Sequence, residues 1–253
     1  MKRSLIFIYG VLGYLFFFGT FLYWIGFVGN FWVPKSVDSG QSASLLGALA
    51  VDLGLISLFG LQHSIMARRS FKRWLTGFMP KSMVRSTYVI ASSAVLVILF
   101  WQWQPLNPAV WNIENPAGQM VMNALFALGW LILLVSTYLI NHFELFGLQQ
   151  VYTQLKNQPF EPPHFQTPLF YRIIRHPMMV GIIIAMWATP FMSAGHILFA
   201  WGLTGYILAG VWFEERDLVK SFGRKYQIYQ SEVPKIIPRL RRRESPRQPA
   251  ESN

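Results

Sequence analysis

The chain alternates between long apolar stretches and shorter polar connections. Ser4 to Val28 carries no charged residue, and neither do Thr87 to Trp103 or Met120 to Ile140. Leu45 to Met66 is apolar, with Asp52, Gln62 and His63 as its strongly polar positions. A helix needs about 20 such residues to cross the hydrocarbon core of a bilayer, so the pattern predicts four transmembrane helices. A further uncharged stretch, Met178 to Phe213, has Thr189-Pro190 and Ser193-Ala194-Gly195 near its middle. Pro and Gly punctuate helices, so this stretch reads as two shorter helices joined by a tight turn, each arm short for a full crossing. The expected fold is an all-α polytopic membrane protein: four transmembrane helices plus a C-terminal helical hairpin, five to six membrane segments in all. The first apolar stretch outruns the roughly 7–15 residues of a signal-peptide core and no small-x-small site closes it. It is expected to be a retained helix.

The polar connections carry their own pattern. Gly147 to Arg175 contains Pro159, Pro162, Pro163 and Pro168, which argues against a long helix there. From Leu218 to Pro234 apolar residues recur at helical spacing (Leu218, Phe222, Tyr226, Tyr229, Val233). That predicts an amphipathic helix folded back on the membrane surface. Residues 241–253, beginning Arg241-Arg242-Arg243, read as a disordered basic tail.

Charge turns this pattern into a topology. Only 13% of residues are charged, against about 25% in an average soluble domain, yet the formal net charge is +11. Such an excess suits a nucleic-acid surface or basic loops on one side of a membrane. Of the 22 Lys and Arg residues, Lys35 alone falls in the loops that the helices place on the opposite side. The positive-inside rule then puts both termini in the cytoplasm, with an even number of crossings, and leaves no call for nucleic acid. The absence of cysteine excludes disulfides and thiolate metal sites.

The polar residues with chemical potential gather at the predicted cytoplasmic helix ends. They are Gln62 and His63; Asn141, His142 and Glu144; Arg175 and His176; and Glu214, Glu215, Arg216 and Asp217. Ionisable groups at membrane depth are candidate functional groups, and their convergence on one side suggests a shared pocket. Pro177 suits the first turn of a helix, which places His176 at its N-cap. Gly181, one turn on, allows close backbone approach. The paired carboxylates of Glu214 and Glu215 suit ribose hydroxyls or a cationic ligand. No histidine spacing typical of a metal centre occurs, and no metal is expected. A haem held by two of His63, His142 and His176 is an alternative.

The run Arg175-His176-Pro177-Met178-Met179-Val180-Gly181, followed by Glu214-Glu215-Arg216-Asp217-Leu218, Phe222-Gly223, Tyr226, Tyr229 and Val233-Pro234, resembles the C-terminal signature of the isoprenylcysteine carboxyl methyltransferase superfamily. Asn141 to Leu148, at the end of the fourth helix, resembles more narrowly the methanethiol S-methyltransferase branch, related to the NnrU-like proteins. The resemblance implies a single membrane methyltransferase domain over residues 1–240, with the cofactor-binding part at about 141–240. It implies S-adenosylmethionine as methyl donor, a small volatile thiol as substrate, and a bacterial inner-membrane enzyme whose site faces the cytoplasm. Carried over by position, the cofactor-binding residues are Tyr171, Arg175, His176, Pro177, Met179, Gly181, Glu214, Glu215, Tyr226 and Tyr229. Met179 stands where the superfamily commonly has Tyr.

The implied reaction is in-line methyl transfer to methanethiol, giving dimethyl sulfide. The thiolate is the nucleophile, so the site must favour it. His142 is the first candidate for the base, Glu144 for orienting it, and Arg175 for positive charge near the sulfur. The alternatives are a prenyl-cysteine or phospholipid substrate, or a non-enzymatic accessory role.

Overall fold

A computed structural model describes residues 2–41, 44–161 and 164–238. The helix α1 (Arg3–Gly29) leads through a loop to α2 (Leu45–Ala67), short α3 (Arg69–Leu75), a 3-10 turn at Lys81–Met83, and α4 (Val84–Gln102). Strand β1 (Ala109–Asn112) precedes α5 (Pro116–Ile140), which is followed by the short helices α6 (His142–Leu145) and α7 (Leu148–Leu155). After a 3-10 turn at Leu169–Arg172 come α8 (Pro177–Trp187), β2 (Phe191–Ser193), α9 (Ala194–Phe222) and α10 (Arg224–Glu232). Among the described residues five helical spans are long and apolar enough to cross a membrane: α1, α2, Lys81–Gln102, α5 and α9. The helix starts follow local chemistry. Asn115 accepts from the Ala117 N–H and Pro116 opens α5, while Ser44 and Ser193 cap α2 and α9 through their hydroxyls. Each satisfies an N–H that the helix itself leaves unpaired.

Aromatic packing fills one end of the bundle. The Phe27 ring lies 4.7 Å from Phe100 and 5.6 Å from Phe199, with Trp103 at 5.3 Å from Phe199. These rings come from the ends of α1 and α4 and the start of α9. At the opposite end Ile6, Met83 and Val151 pack together, so the start of α1, the start of α4 and α7 meet there. The end of α9 lies there too, since Arg68 and Asp217 approach to 3.9 Å.

The apolar runs became helices nearly where the pattern put them, and the differences fall in the C-terminal part. The two arms expected between Met178 and Phe213 are unequal: α8 has 11 residues and α9 has 29. Eleven residues rise only about 16 Å, roughly half the hydrocarbon thickness. The chain then turns through Ala188 to Pro190, and β2 pairs antiparallel with β1. Backbone groups there are satisfied from outside, by Ile113 N–H to Pro190 C=O (2.9 Å) and Ala194 N–H to Pro108 C=O (2.8 Å). Nor does α9 end at Phe213. Glu and Arg are good helix formers, and the helix continues through Glu214-Glu215-Arg216-Asp217 to Phe222. The single amphipathic helix expected from Leu218 to Pro234 is therefore the last turn of α9 and a separate α10. Gly223, with φ 57° and ψ −134°, separates them, a conformation that only glycine adopts readily. The expected basic tail at 241–253 lies outside the described residues.

The closest helix contact is α5 on α8. A Cβ at Gly181 would sit 2.6 Å from the Gly129 carbonyl oxygen and 2.7 Å from the Leu133 nitrogen. Reciprocally, a Cβ at Gly129 would lie 2.7 Å from the Gly181 carbonyl oxygen. Small residues let helix backbones touch in this way. Gly181 thus brings the α8 backbone onto α5, a close backbone approach that its missing side chain allows. Gly181→Ala is expected to destabilise the protein by about 1–3 kcal/mol, the usual cost of forcing a methyl group into a full interface. Thermal melting in detergent checks this; an unchanged midpoint would show that the interface has slack.

Candidate active site

The site is built on three short stretches of chain. His176 stays out of the helix (φ −124°, ψ 60°) because a residue before proline is kept out of the helical region; Pro177 then opens α8. The backbone N–H groups of Arg175 and His176 donate to Pro234 (2.9 Å) and Lys235 (3.2 Å) carbonyls, which docks the segment after α10 alongside them. The third stretch is Glu214-Glu215 on α9.

Glu215 is the hub. Its Oε1 accepts from Arg175 Nε at 2.7 Å and Nη2 at 2.6 Å, and lies 3.3 Å from His176 Nε2. Its Oε2 is 3.2 Å from Lys235 Nζ. Arg175 and Glu215 are both buried, with side chains 8% and 9% exposed. Arg175 Nη1 donates to the Gln230 carbonyl at 2.9 Å and to the Val233 carbonyl. The guanidinium thus joins α9 to the C-terminal segment. A buried pair holds only when its remaining hydrogen-bonding groups are also satisfied, and this one meets that condition.

Glu214 faces elsewhere, since successive helix residues point about 100° apart. Its Oε2 is 3.6 Å from His176 Nδ1, and its side chain remains 48% exposed. It also lies within electrostatic reach of Arg85 and Tyr88 on α4. Arg85 Nε donates to the Leu145 carbonyl at 2.7 Å, and its guanidinium lies 5.6 Å from the Tyr88 ring centroid. Lys72 of α3 interacts with Arg85, Glu144 and Asp217. Burial, then Arg85, hold its ammonium below the usual lysine range. The open side of the half-exposed Glu214 carboxylate is thus a cleft that shares its electrostatic surroundings with Arg85, to which Lys72 is coupled in turn. The opposite side of Glu215 opens on a groove of about 500 Å³ lined by Trp212, Arg216, Gln230 and Lys235.

The remaining sequence-derived residues divide into those near the hub and those away from it. Tyr229 donates to the Tyr171 carbonyl at 2.5 Å, and Tyr171 donates to the Ser136 carbonyl at 3.4 Å. Tyr226 and Tyr229 form a ring cluster with Phe165. Burial pushes the Tyr229 hydroxyl up to about 12, against the opposing pull of Arg175. Burial also raises Tyr171 and Tyr226. All three stay neutral; Tyr171 and Tyr229 donate hydrogen bonds that brace the site, and Tyr226 packs its ring there. Pro177 is buried, and Met179 is half-buried one turn into α8.

His142 is held for structure. Its Nδ1–H donates to Thr137 Oγ1 at 2.8 Å, because that hydroxyl already gives its proton to the Leu134 carbonyl. Its Nε2 accepts from the Tyr14 hydroxyl at 2.8 Å, and the ring stacks on Tyr138 at 4.3 Å. No lone pair is left to accept a substrate proton, which counts against the base expected from the sequence. Glu144 accepts from Gln150 Nε2 at 3.1 Å and does not orient His142. Sequence reading missed Lys235, Arg85 and Lys72, basic residues that look like any others in a one-sided charge pattern. Among the described residues no group of three His, Cys, Asp or Glu is placed to hold a metal ion.

Comparison with known proteins places the chain among relatives. The model of the NnrU protein family matches residues 53–238. A methanethiol S-methyltransferase of Mycobacterium tuberculosis is 50% identical over 94% of this chain and 98% of its own length. A protein of the same name from Crocosphaera subtropica is 48% identical over 94% of this chain and 93% of its own. Nurim of Pan troglodytes is 30% identical over 70% of this chain and 71% of its own. No solved structure matches the chain.

Two outcomes follow from the geometry. Glu215→Ala leaves Arg175 buried without its counter-charge, a loss of about 3–5 kcal/mol for such pairs. Hydrogen exchange should then quicken in residues 224–238 before the rest of the bundle. Burial holds the His142 imidazole below its usual range, while in an unfolded chain it titrates near 6.5. Between those values the unfolded state binds the extra proton, so stability is complete above about pH 6.5 and falls with acidification. The melting temperature of His142→Gln should therefore fall less steeply than that of wild type from about pH 7 to pH 5.

Proposed function

The chain belongs to the NnrU protein family, and from that premise and the cleft at Glu214 we propose that it transfers a methyl group from S-adenosylmethionine to methanethiol, giving dimethyl sulfide. The names of the relatives that are about half identical over nearly the whole chain support this activity. The observation that carries the donor assignment is the half-exposed Glu214 carboxylate, 3.6 Å from His176 and within electrostatic reach of Arg85. S-Adenosylmethionine brings a sulfonium, ribose hydroxyls and an amino-acid carboxylate. Glu214 matches the first two, and Arg85 with Lys72 the third. Its positive sulfur makes the methyl group transferable without further activation.

The protein's work is then alignment and ionisation. His176, fixed by its backbone bond to Lys235 and by Glu215, holds Glu214 at a set distance. Arg175 has its donors turned toward Glu215 and the Gln230 and Val233 carbonyls. It acts by anchoring the wall of the site; Arg85 is the cation nearer the cleft. Held reactants gain the proximity advantage of an intramolecular reaction. A small apolar thiol partitions into lipid and reaches a site at the ends of the membrane helices from there. The one-sided Lys and Arg distribution supports a site at the cytoplasmic face.

The test is an assay of purified protein in detergent with S-adenosylmethionine and methanethiol, with dimethyl sulfide measured in the headspace. Production of dimethyl sulfide is expected. Product only with a prenyl-cysteine or a lipid would retain methyl transfer and remove methanethiol, and no binding of the donor would remove both. Glu214→Gln is expected to raise the KM for the donor by about 10- to 100-fold, the value of a hydrogen bond to a charged group.

A further inference from the structure

The cleft lacks an evident proton acceptor once His142 is committed to Tyr14 and Thr137. Resting on the methyl-transfer reading above, we propose that His63 takes the proton from the thiol, with Tyr88 fixing its ring. His63 Nε2 lies 2.5 Å from the Tyr88 hydroxyl oxygen, whereas its Nδ1 is buried without a hydrogen-bond partner. A buried polar atom left unpaired costs about 1–3 kcal/mol, and in a native structure it calls for an explanation. With the ring proton on Nε2 and given to Tyr88, Nδ1 presents a free lone pair.

The other histidines do not offer this. His142 has both nitrogens bonded, and both His176 nitrogens face carboxylates. His196 also has an unpartnered Nδ1, but it lies 18 residues before Glu214 on α9, about 27 Å along the helix. His164 is exposed.

The surroundings of His63 suit a small apolar thiol. The ring centroids of Tyr88, Phe59 and Tyr206 stand 4.9, 5.3 and 6.1 Å from the imidazole. Arg85 lies within electrostatic reach of both His63 and Glu214. Its charge favours an anionic sulfur and opposes a lasting positive charge on His63, so the proton taken by Nδ1 must be passed on. Tyr88 and Arg85 of α4 are thus the groups that His63 on α2 and Glu214 on α9 have in common. The thiol proton passes to Nδ1 and the sulfur's electron pair forms the new bond to the methyl carbon. The donor's carbon–sulfur bond breaks with its pair going to the donor sulfur, which becomes neutral. The proton on His63 then leaves to water.

The experiment compares methanethiol with methaneselenol, which is largely ionised at neutral pH and needs no base. Purified full-length protein is assayed in detergent with S-adenosylmethionine. His63→Gln is expected to lose about 10²- to 10⁴-fold of methanethiol turnover, the usual worth of a general base, and to methylate methaneselenol at close to the wild-type rate. Equal losses on both substrates would assign His63 a packing role, and unchanged methanethiol turnover would remove it from the reaction; either overturns the proposal. Should His63→Gln fail to fold, Tyr88→Phe, which deletes only the hydroxyl, must shift the selenol-to-thiol ratio in the same direction, and an unchanged ratio overturns it. If wild-type protein methylates neither substrate, the methyl-transfer reading fails and takes His63 with it.

Discussion

A single buried carboxylate organises the C-terminal half of the chain. Removing an ion from water costs several kcal/mol unless close partners replace the hydration. Glu215 finds them in Arg175, His176 and Lys235. Those groups lie on chain segments far apart in sequence, so satisfying the carboxylate fixes where α8 begins, how α9 is rotated, and where the segment after α10 lies. Once Glu215 is turned to these partners, Glu214 must point elsewhere, into the cleft. The pair of glutamates works as a fixed post and a free hand.

The packing of α5 on α8 supplies the reference frame. Gly129 and Gly181 bring two backbones into contact, so the first turn of α8 has no freedom to slide. His176, at the cap of that helix, inherits this precision. Sites set on rigid elements hold geometry better than sites on loops. Here the loop-borne residues Arg175 and Lys235 are tied in by backbone hydrogen bonds.

Much of this was legible in the sequence, for physical reasons. A span of about 20 apolar residues has few alternatives to a membrane helix, and the helices formed close to the runs that announced them. Arg175, His176, Glu214 and Glu215 came together as their shared motif implied. The rest depended on tertiary context. Gly181 looks the same whether it meets a ligand or another helix. His142 sits at a helix end in a motif rich in functional residue types, yet its two hydrogen bonds reach Tyr14 and Thr137, and no local pattern reports a partner 128 positions away. Lys235 reads as one more cation in a basic tail until its carboxylate is known. The charged quartet from Glu214 to Asp217 was read as a helix end because lipid was taken to stop there, whereas α9 simply continues into the polar phase.

The short strand before α9 sets a length as well as a path. Because α8 is only 11 residues long, the climb to the far end of the bundle is completed by the chain through β2, and α9 starts directly where β2 stops. One residue of strand advances the chain by about 3.3 Å, nearly the whole 3.6 Å that separates Glu214 from His176. The pairing of β2 with β1 is therefore a ruler read at the opposite end of the protein. The register of that two-stranded ladder and the reach of Glu214 to His176 thus sit at the two ends of one helix, α9.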